Sequence, residues 1–190
     1  MKIGFALFEG LTALDFVGIY DPLTRLKTMG FIPDLTWETC SFTREVRDNT
    51  GLKFTPDKVA ESLHNYDILV VPGGFGTRIL INDPDFIDWL KTARDCKLKV
   101  SVCTGSLLLG AAGFLREKAA TTHPGAYSDL EKYCSGVKKD RIVDEGDVIT
   151  AGGVTSSIDL GLYLCEKLAG KEVKEKIRLQ MDYPAILNNY

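Results

Sequence analysis

Cys103 stands where a β-branched strand pattern, Lys99-Val100-Ser101-Val102, breaks and a leucine-rich helical pattern begins after Thr104-Gly105-Ser106. A strand feeding a helix through so sharp a corner lifts a side chain off the sheet edge and aims it at a ligand. It also sets the sulfur beside the unpaired N–H groups of a helix N-terminus, whose positive end favours thiolate over thiol. The spacing is that of a nucleophile elbow, with cysteine in place of serine and Ser101 where the first glycine would stand. Free cysteine is also among the most buried residue types, so the corner by itself fits a core thiol as well. Two further glycine-bearing turns follow strand patterns, Gly73-Gly74-Phe75-Gly76 and Gly152-Gly153. Glycine there lets backbone N–H groups approach a ligand, or simply makes a tight turn. Neither turn has the spacing of a dinucleotide fingerprint, and no phosphate-binding G-x-x-x-x-G-K-[ST] occurs.

The remaining cysteines, Cys40, Cys96, Cys134 and Cys165, are widely spaced, and no C-x-x-C occurs among the five. With only His64 and His123 beside them, a disulfide framework, a structural zinc site and a histidine-rich metal centre are all disfavoured. No metal site is expected. The net charge of −3 and pI near 5.5 leave no electrostatic footprint for nucleic acid; the small basic group Lys138-Lys139-Asp140-Arg141 reads as solvated surface. No apolar run approaches the ~20 residues of a membrane span. The N-terminus enters a strand pattern without a signal-peptide layout, so a cytoplasmic location is expected.

The elements that must position Cys103 alternate between strand and helix patterns, which predicts an α/β fold with a mostly parallel sheet. Strands are expected over 2–8, 35–40, 66–71 and 99–102. Two more, 141–144 and 148–150, flank a tight turn at Gly146-Asp147, and 45–54 reads as a hairpin around Asn49. Helices are expected over about 12–28, 84–95 with Asp83 as cap, 155–168 and 172–181. Ser156 and Asp159 form an S-x-x-D capping signature in the third of these. At 190 residues, with no repeat, low-complexity tract or linker, residues 1–190 are expected to form one domain.

Several segments occur together in order: Gly4-Phe5-Ala6-Leu7-Phe8-Glu9-Gly10 with Leu14-Asp15, Val71-Pro72-Gly73-Gly74-Phe75-Gly76, Ser101 to Ser106, Ala120-Thr121-Thr122-His123, Thr150 to Asp159, and Leu179-Gln180-Met181-Asp182-Tyr183. In these the chain resembles the DJ-1/PfpI superfamily and, within it, the isocyanide hydratase branch. The resemblance implies a flavodoxin-like three-layer sandwich that forms a homodimer, with Cys103 as its reactive centre. It implies that Asp15 reaches that sulfur; on its own, Asp15 reads as a carboxylate stabilising a helix N-terminus. Relatives resembling glutamine amidotransferases or PfpI peptidases carry histidine after the cysteine. Thr104 stands there instead, and a Cys-His hydrolase is disfavoured. His64 reads as surface, and His123 as either a pocket wall or a structural histidine.

The implied reaction converts a small electrophile, an isocyanide, to an N-substituted formamide through a covalent thioimidate, without metal or organic cofactor. Cys103 would attack, and Asp15 would donate a proton and then activate water. Thr104 would hold Asp15 or the sulfur in register. Backbone N–H groups at Gly73, Gly74, Thr104 and Gly153, with His123, would contact substrate or developing charge. The branch pattern is broken at Pro124-Gly125-Ala126-Tyr127, where a tryptophan is usual, and at Gly18-Ile19, where Gly-Pro is usual. The short tail after Tyr183 argues against the longer transcriptional regulators of the same fold. Two other readings stand beside the hydratase: a glyoxalase-like enzyme acting on methylglyoxal, and a redox or stress sensor in which Cys103 oxidises without turnover.

Overall fold

The computed structural model describes residues 1–184. The strands are β1 (Lys2–Leu7), β2 (Thr36–Ser41), β3 (Val46–Arg47), β4 (Lys53–Phe54), β5 (Lys58–Val59), β6 (Ile68–Val71), β7 (Leu98–Val102), β8 (Ala119–Ala120), β9 (Gly136–Val137), β10 (Ile142–Asp144) and β11 (Val148–Ala151). The helices are α1 (Ala13–Thr28), α2 (Thr77–Leu80), α3 (Pro84–Lys91), α4 (Gly105–Ala111), α5 (Tyr127–Leu130), α6 (Ser156–Ala169) and α7 (Lys171–Gln180). Seven strands build one sheet in the order β10-β11-β7-β6-β1-β2-β5. All neighbours run parallel except β10, which pairs antiparallel with β11 at the edge. The expected α/β architecture with a mostly parallel central sheet is therefore present.

Burial explains why the inner strands read as continuous apolar runs. Every residue of β6, β7 and β11 is buried, as in a parallel sheet covered by helices on both faces. Even Lys99 lies inside, its ammonium satisfied by the carbonyls of Arg94 at 2.8 Å and Cys96 at 2.7 Å. Helices α1, α6 and α7 pack together as one outer layer, and α4 joins α2, α3 and α5 in the other.

Glycines let α1 and α6 pack closely. A Cβ at Gly18 would lie 2.1 Å from the Ser157 hydroxyl, and one at Gly161 would lie 2.8 Å from the Pro22 ring. Ile19, which replaces the usual proline, is buried in the core, while Pro22 is accommodated inside α1.

The sheet order reverses direction between β1 and β6: the chain leaves β1 for β2 on one side and later returns to β6 on the other. Ligand sites in open α/β sheets form at the carboxyl ends of strands beside such a reversal. The turns after β6, β7 and β11 carry Gly73-Gly74, Cys103 and Gly152-Gly153, and the first turn of α1, which follows β1, carries Asp15 at that same edge.

Most sequence-derived boundaries hold to within a residue or two, including the 45–54 hairpin and the Asp83 cap, which accepts from the Asp85 and Phe86 N–H groups at 3.1 Å each. The helix expected over 84–95 divides into α3 and a 3₁₀ turn, Thr92–Asp95. The capping signature at Ser156 and Asp159 is corrected. Thr155 occupies the N-cap of α6 and makes no side-chain cap. Asp159 instead pairs with Arg141 and accepts from the Tyr183 hydroxyl at 2.9 Å. A buried carboxylate gains more from a guanidinium than from a single backbone donor.

Candidate active site

Three loops converge on Cys103 and are stitched together by backbone hydrogen bonds. The Thr12 N–H donates to the Gly73 carbonyl at 2.8 Å, and the Gly76 N–H to the Gly10 carbonyl at 3.0 Å, which joins the β1–α1 and β6–α2 turns. The Cys103 N–H donates to the carbonyls of Ala151 and Gly152 at 3.0 and 2.9 Å, tying its corner to the end of β11. The Cys103 carbonyl accepts from the hydroxyls of Thr122 at 2.9 Å and Ser106 at 3.2 Å. These bonds hold Cys103 at φ +55°, a left-handed conformation that costs a non-glycine residue on the order of 1–3 kcal/mol. The sequence-derived corner is present, and the structure adds that it is strained.

Asp15 lies in the first turn of α1, fully buried. It meets Cys103 across Gly73. A Cβ at Gly73 would stand 2.9 Å from the Asp15 Oδ2, 2.7 Å from the Cys103 Cβ and 2.6 Å from the Thr104 nitrogen. Neither carboxyl oxygen completes a hydrogen bond of normal geometry. Burial pushes the Asp15 pKa up to about 7; the nearby Cys103 thiol and Gly73 N–H lower it, by less.

Burial, then the Asp15 charge, pushes the Cys103 thiol up to about 12, against a smaller opposing pull from the Thr104 N–H and hydroxyl. The pull of the Thr104 N–H is in the direction expected at a helix N-terminus. The helix donor is present, but desolvation of the sulfur and an adjacent carboxylate outweigh it. Both groups are thus pushed toward their protonated forms, and ionisation of one disfavours ionisation of the other.

Thr104 does not bond Asp15. Its hydroxyl donates to the Gly74 carbonyl at 3.1 Å and accepts from the Gly74 N–H at 3.0 Å. This locks Gly74, whose φ of +138° and tight approach to Gly10 and Leu11 exclude any side chain. It also occupies the Gly74 N–H, which corrects the expectation of a free donor there.

A cavity of about 260 Å³ opens in front of the sulfur, lined by Thr12, Gly74, Phe75, Arg78, Cys103, Thr104, His123, Gly125 and Val154. Gly73 lies behind it, between Asp15 and Cys103. Gly153 lies under the His123 ring and lines a neighbouring cleft with it. The exposed His123 accepts from the Gly125 N–H through Nδ1 at 3.1 Å. His64 lies exposed, its Nδ1 2.9 Å from the Ser62 hydroxyl. Sequence reasoning missed Thr12, Phe75, Arg78 and Val154 as wall residues; position directly after a glycine pair was the available signal for Phe75 and Val154.

Among the described residues no three His, Cys, Asp or Glu side chains converge as metal ligands, and no helix is long and apolar enough to cross a membrane.

Known proteins share this arrangement of segments. The chain is 38% identical over 185 residues to an isonitrile hydratase from Pseudomonas putida, covering 96% of this chain and 78% of that one. It is 26% identical over 181 residues to protein DJ-1alpha from Drosophila melanogaster, covering 92% and 81% of the two chains. A crystal structure of a THiJ/PfpI family protein from Pseudomonas syringae superposes with a TM-score of 0.88 at 26% identity, covering 99% of this chain and 77% of that one. The family model for the DJ-1/PfpI family matches residues 1–167, and the chain belongs to that family.

Proposed function

We infer that this protein hydrates a small isocyanide to an N-substituted formamide, with Cys103 as nucleophile and Asp15 as its proton partner. The observation that carries the reading is the Asp15 carboxyl, held without a completed hydrogen bond against a cysteine at a strained corner. A carboxyl kept in that state, its pKa raised to about 7, is poised to take and return one proton near neutral pH. The 38% identity to an isonitrile hydratase supports the substrate class.

The reactive form of the pair is the one in which Asp15 has ionised and the sulfur keeps its proton. As the isocyanide enters, Asp15 takes the thiol proton while the sulfur lone pair attacks the terminal carbon, forming the C–S bond. Asp15 returns that proton to the same carbon, and the product is the thioimidate R–N=CH–S–Cys103. The Asp15 carboxylate then removes a proton from water as the oxygen adds to this carbon, and passes that proton to the nitrogen. The tetrahedral adduct R–NH–CH(OH)–S–Cys103 collapses, expelling sulfur and losing the hydroxyl proton. The formamide R–NH–CHO leaves, the thiol is regenerated, and the sum is isocyanide plus water. The Thr104 N–H, which already pulls on the sulfur charge, stabilises the departing thiolate.

A redox-sensor reading fits this site less well. Oxidation follows thiolate character and access, whereas Cys103 is buried and its thiol is held up to about 12.

The test is incubation of purified protein with an aryl isocyanide, formamide being followed by absorbance and mass. Turnover is expected, and Cys103→Ala should abolish it. Equal turnover by that variant, or none by the wild type, would remove the reading.

A further inference from the structure

The walls of the Cys103 cavity carry one permanent charge among the described residues, and it is positive. Arg78 stands on α2, one turn beyond Gly74, with its guanidinium 6.0 Å from the centre of the Phe75 ring. Five of the eight arginines, Arg25, Arg47, Arg94, Arg141 and Arg178, have a carboxylate partner, whereas Arg44, Arg78 and Arg116 have none among the described residues. Arg78 joins no ion pair among the described residues, although the chain as a whole carries −3. An exposed arginine is costless in water, so its lack of a partner alone means little. Its place is what counts: it lines a cavity whose other walls are glycine, hydroxyl, sulfur, imidazole and apolar groups. Asp15, the nearest acid to the reaction, is sealed behind Gly73 and contributes no wall.

Size narrows the ligand further. About 260 Å³ lies below the roughly 300–1,000 Å³ of pockets that enclose drug-sized ligands. One compact group fits, with the isocyano carbon at Cys103 and the far end at the mouth. A guanidinium is built to receive a carboxylate there through paired N–H donors, and an aromatic face beside it keeps its plane oriented.

Resting on the hydratase reading for its chemistry, we propose that Arg78 is the specificity-determining residue and that the preferred substrates are short isocyanides bearing a carboxylate. Phe75 orients the guanidinium, and the anion is drawn to the mouth before the carbon meets the sulfur.

The experiment compares isocyanoacetate with its methyl ester, two probes that share the reacting carbon and differ in charge. In wild-type protein kcat/KM for the anion is expected to exceed that for the ester by about tenfold or more, with most of the difference in KM, and to lose that lead as ionic strength rises. Arg78→Gln should bring the ratio to near one, and Arg78→Lys should restore part of it. A merely structural role would lower both substrates alike and leave the ratio unchanged. Binding separates this proposal from the hydratase reading. N-formylglycine and its methyl ester are titrated calorimetrically into Cys103→Ala and into Cys103→Ala with Arg78→Gln. Arg78-dependent preference for the anion supports the carboxylate site even if neither isocyanide turns over, an outcome that would count against the hydratase alone. Equal binding of acid and ester, or anion binding indifferent to Arg78, overturns the proposal.

Discussion

Asp15 and Cys103 face each other across a glycine that has no room for a methyl group: a Cβ on Gly73 would lie 2.9 Å from the Asp15 Oδ2 and 2.7 Å from the Cys103 Cβ. Asp15 comes from the first turn of α1 and Cys103 from the end of β7, and the β6–α2 turn passes between them. That backbone is therefore a spacer as much as a turn.

Gly73→Ala should separate the pair. The added methyl meets a backbone nitrogen and a Cβ, neither of which is the far end of a flexible side chain, so the loop must shift by a few tenths of an ångström or more. Displacements of about 1 Å can cost on the order of a hundredfold in rate. A fall in kcat of that order, in a variant that still unfolds cooperatively, is expected in the isocyanide assay. A kcat within about twofold of wild type would show that the spacing is not critical.

The raised pKa of Asp15 makes the site a stability cost at neutral pH. The unfolded carboxyl releases its proton near 3.8, whereas the folded one keeps it to about 7. Across that window the folded state binds the extra proton, so this group's contribution falls as pH rises and is level above about 7, an effect on the order of 4 kcal/mol. Asp15→Asn removes the titration. Denaturation at pH 4.5 and pH 8 should show the variant gaining on wild type by a few kcal/mol at the higher pH. An unchanged difference between the two pH values would mean that Asp15 ionises normally.

Turnover should follow the same group with the opposite sense. Only the carboxylate can accept the thiol proton, so kcat/KM for a neutral isocyanide is expected to fall about tenfold per pH unit well below about 7. A profile flat from pH 5 to pH 8 would assign the base to another residue.

Alkylation reads the sulfur directly. With the thiol held up to about 12 by burial and by Asp15, iodoacetamide labelling of Cys103, followed by peptide mass, should still be accelerating above pH 9. Asp15→Asn, which removes the adjacent negative charge, should move that rise to lower pH. A rate already level by pH 7 would identify a resting thiolate and contradict the assignment of the proton.

Thr104→Val keeps the shape of the side chain but removes the hydroxyl that serves both the N–H and the carbonyl of Gly74. The buried Gly74 N–H loses its partner, while the Gly74 carbonyl keeps the Thr77 N–H and hydroxyl, and a loss of about 1–3 kcal/mol in unfolding free energy is expected. Thr104→Ser should recover most of it. Stability unaltered in the valine variant would show that Gly74 is held by the chain around it and not by Thr104.

Local chemistry was legible where a local pattern suffices. The β-branched run stopping at Cys103 foretold the corner, because strand period and helix period are set by neighbours in sequence. The apolar run at Ile68-Leu69-Val70-Val71 foretold an inner parallel strand for the same reason. Asp83 foretold its own cap, since its acceptors and donors lie within three residues. The pairing of Asp15 with Cys103 came only through family resemblance; nothing near Asp15 distinguishes it from an ordinary first-turn carboxylate. Asp159 carried the same capping signal as a true cap, yet Arg141 and Tyr183 compete for it from distant segments and prevail. Arg78 looked like any exposed helix arginine.

The sequence by itself thus determined the alternation of strands and helices, the glycine turns and the position of the sulfur. Tertiary structure decided the protonation of that sulfur, the occupant of the Thr104 hydroxyl, and the charge that borders the cavity. The physical reason is that desolvation and Coulomb interaction depend on distance through space, and the packing of β1, β6, β7 and β11 at one sheet edge sets those distances.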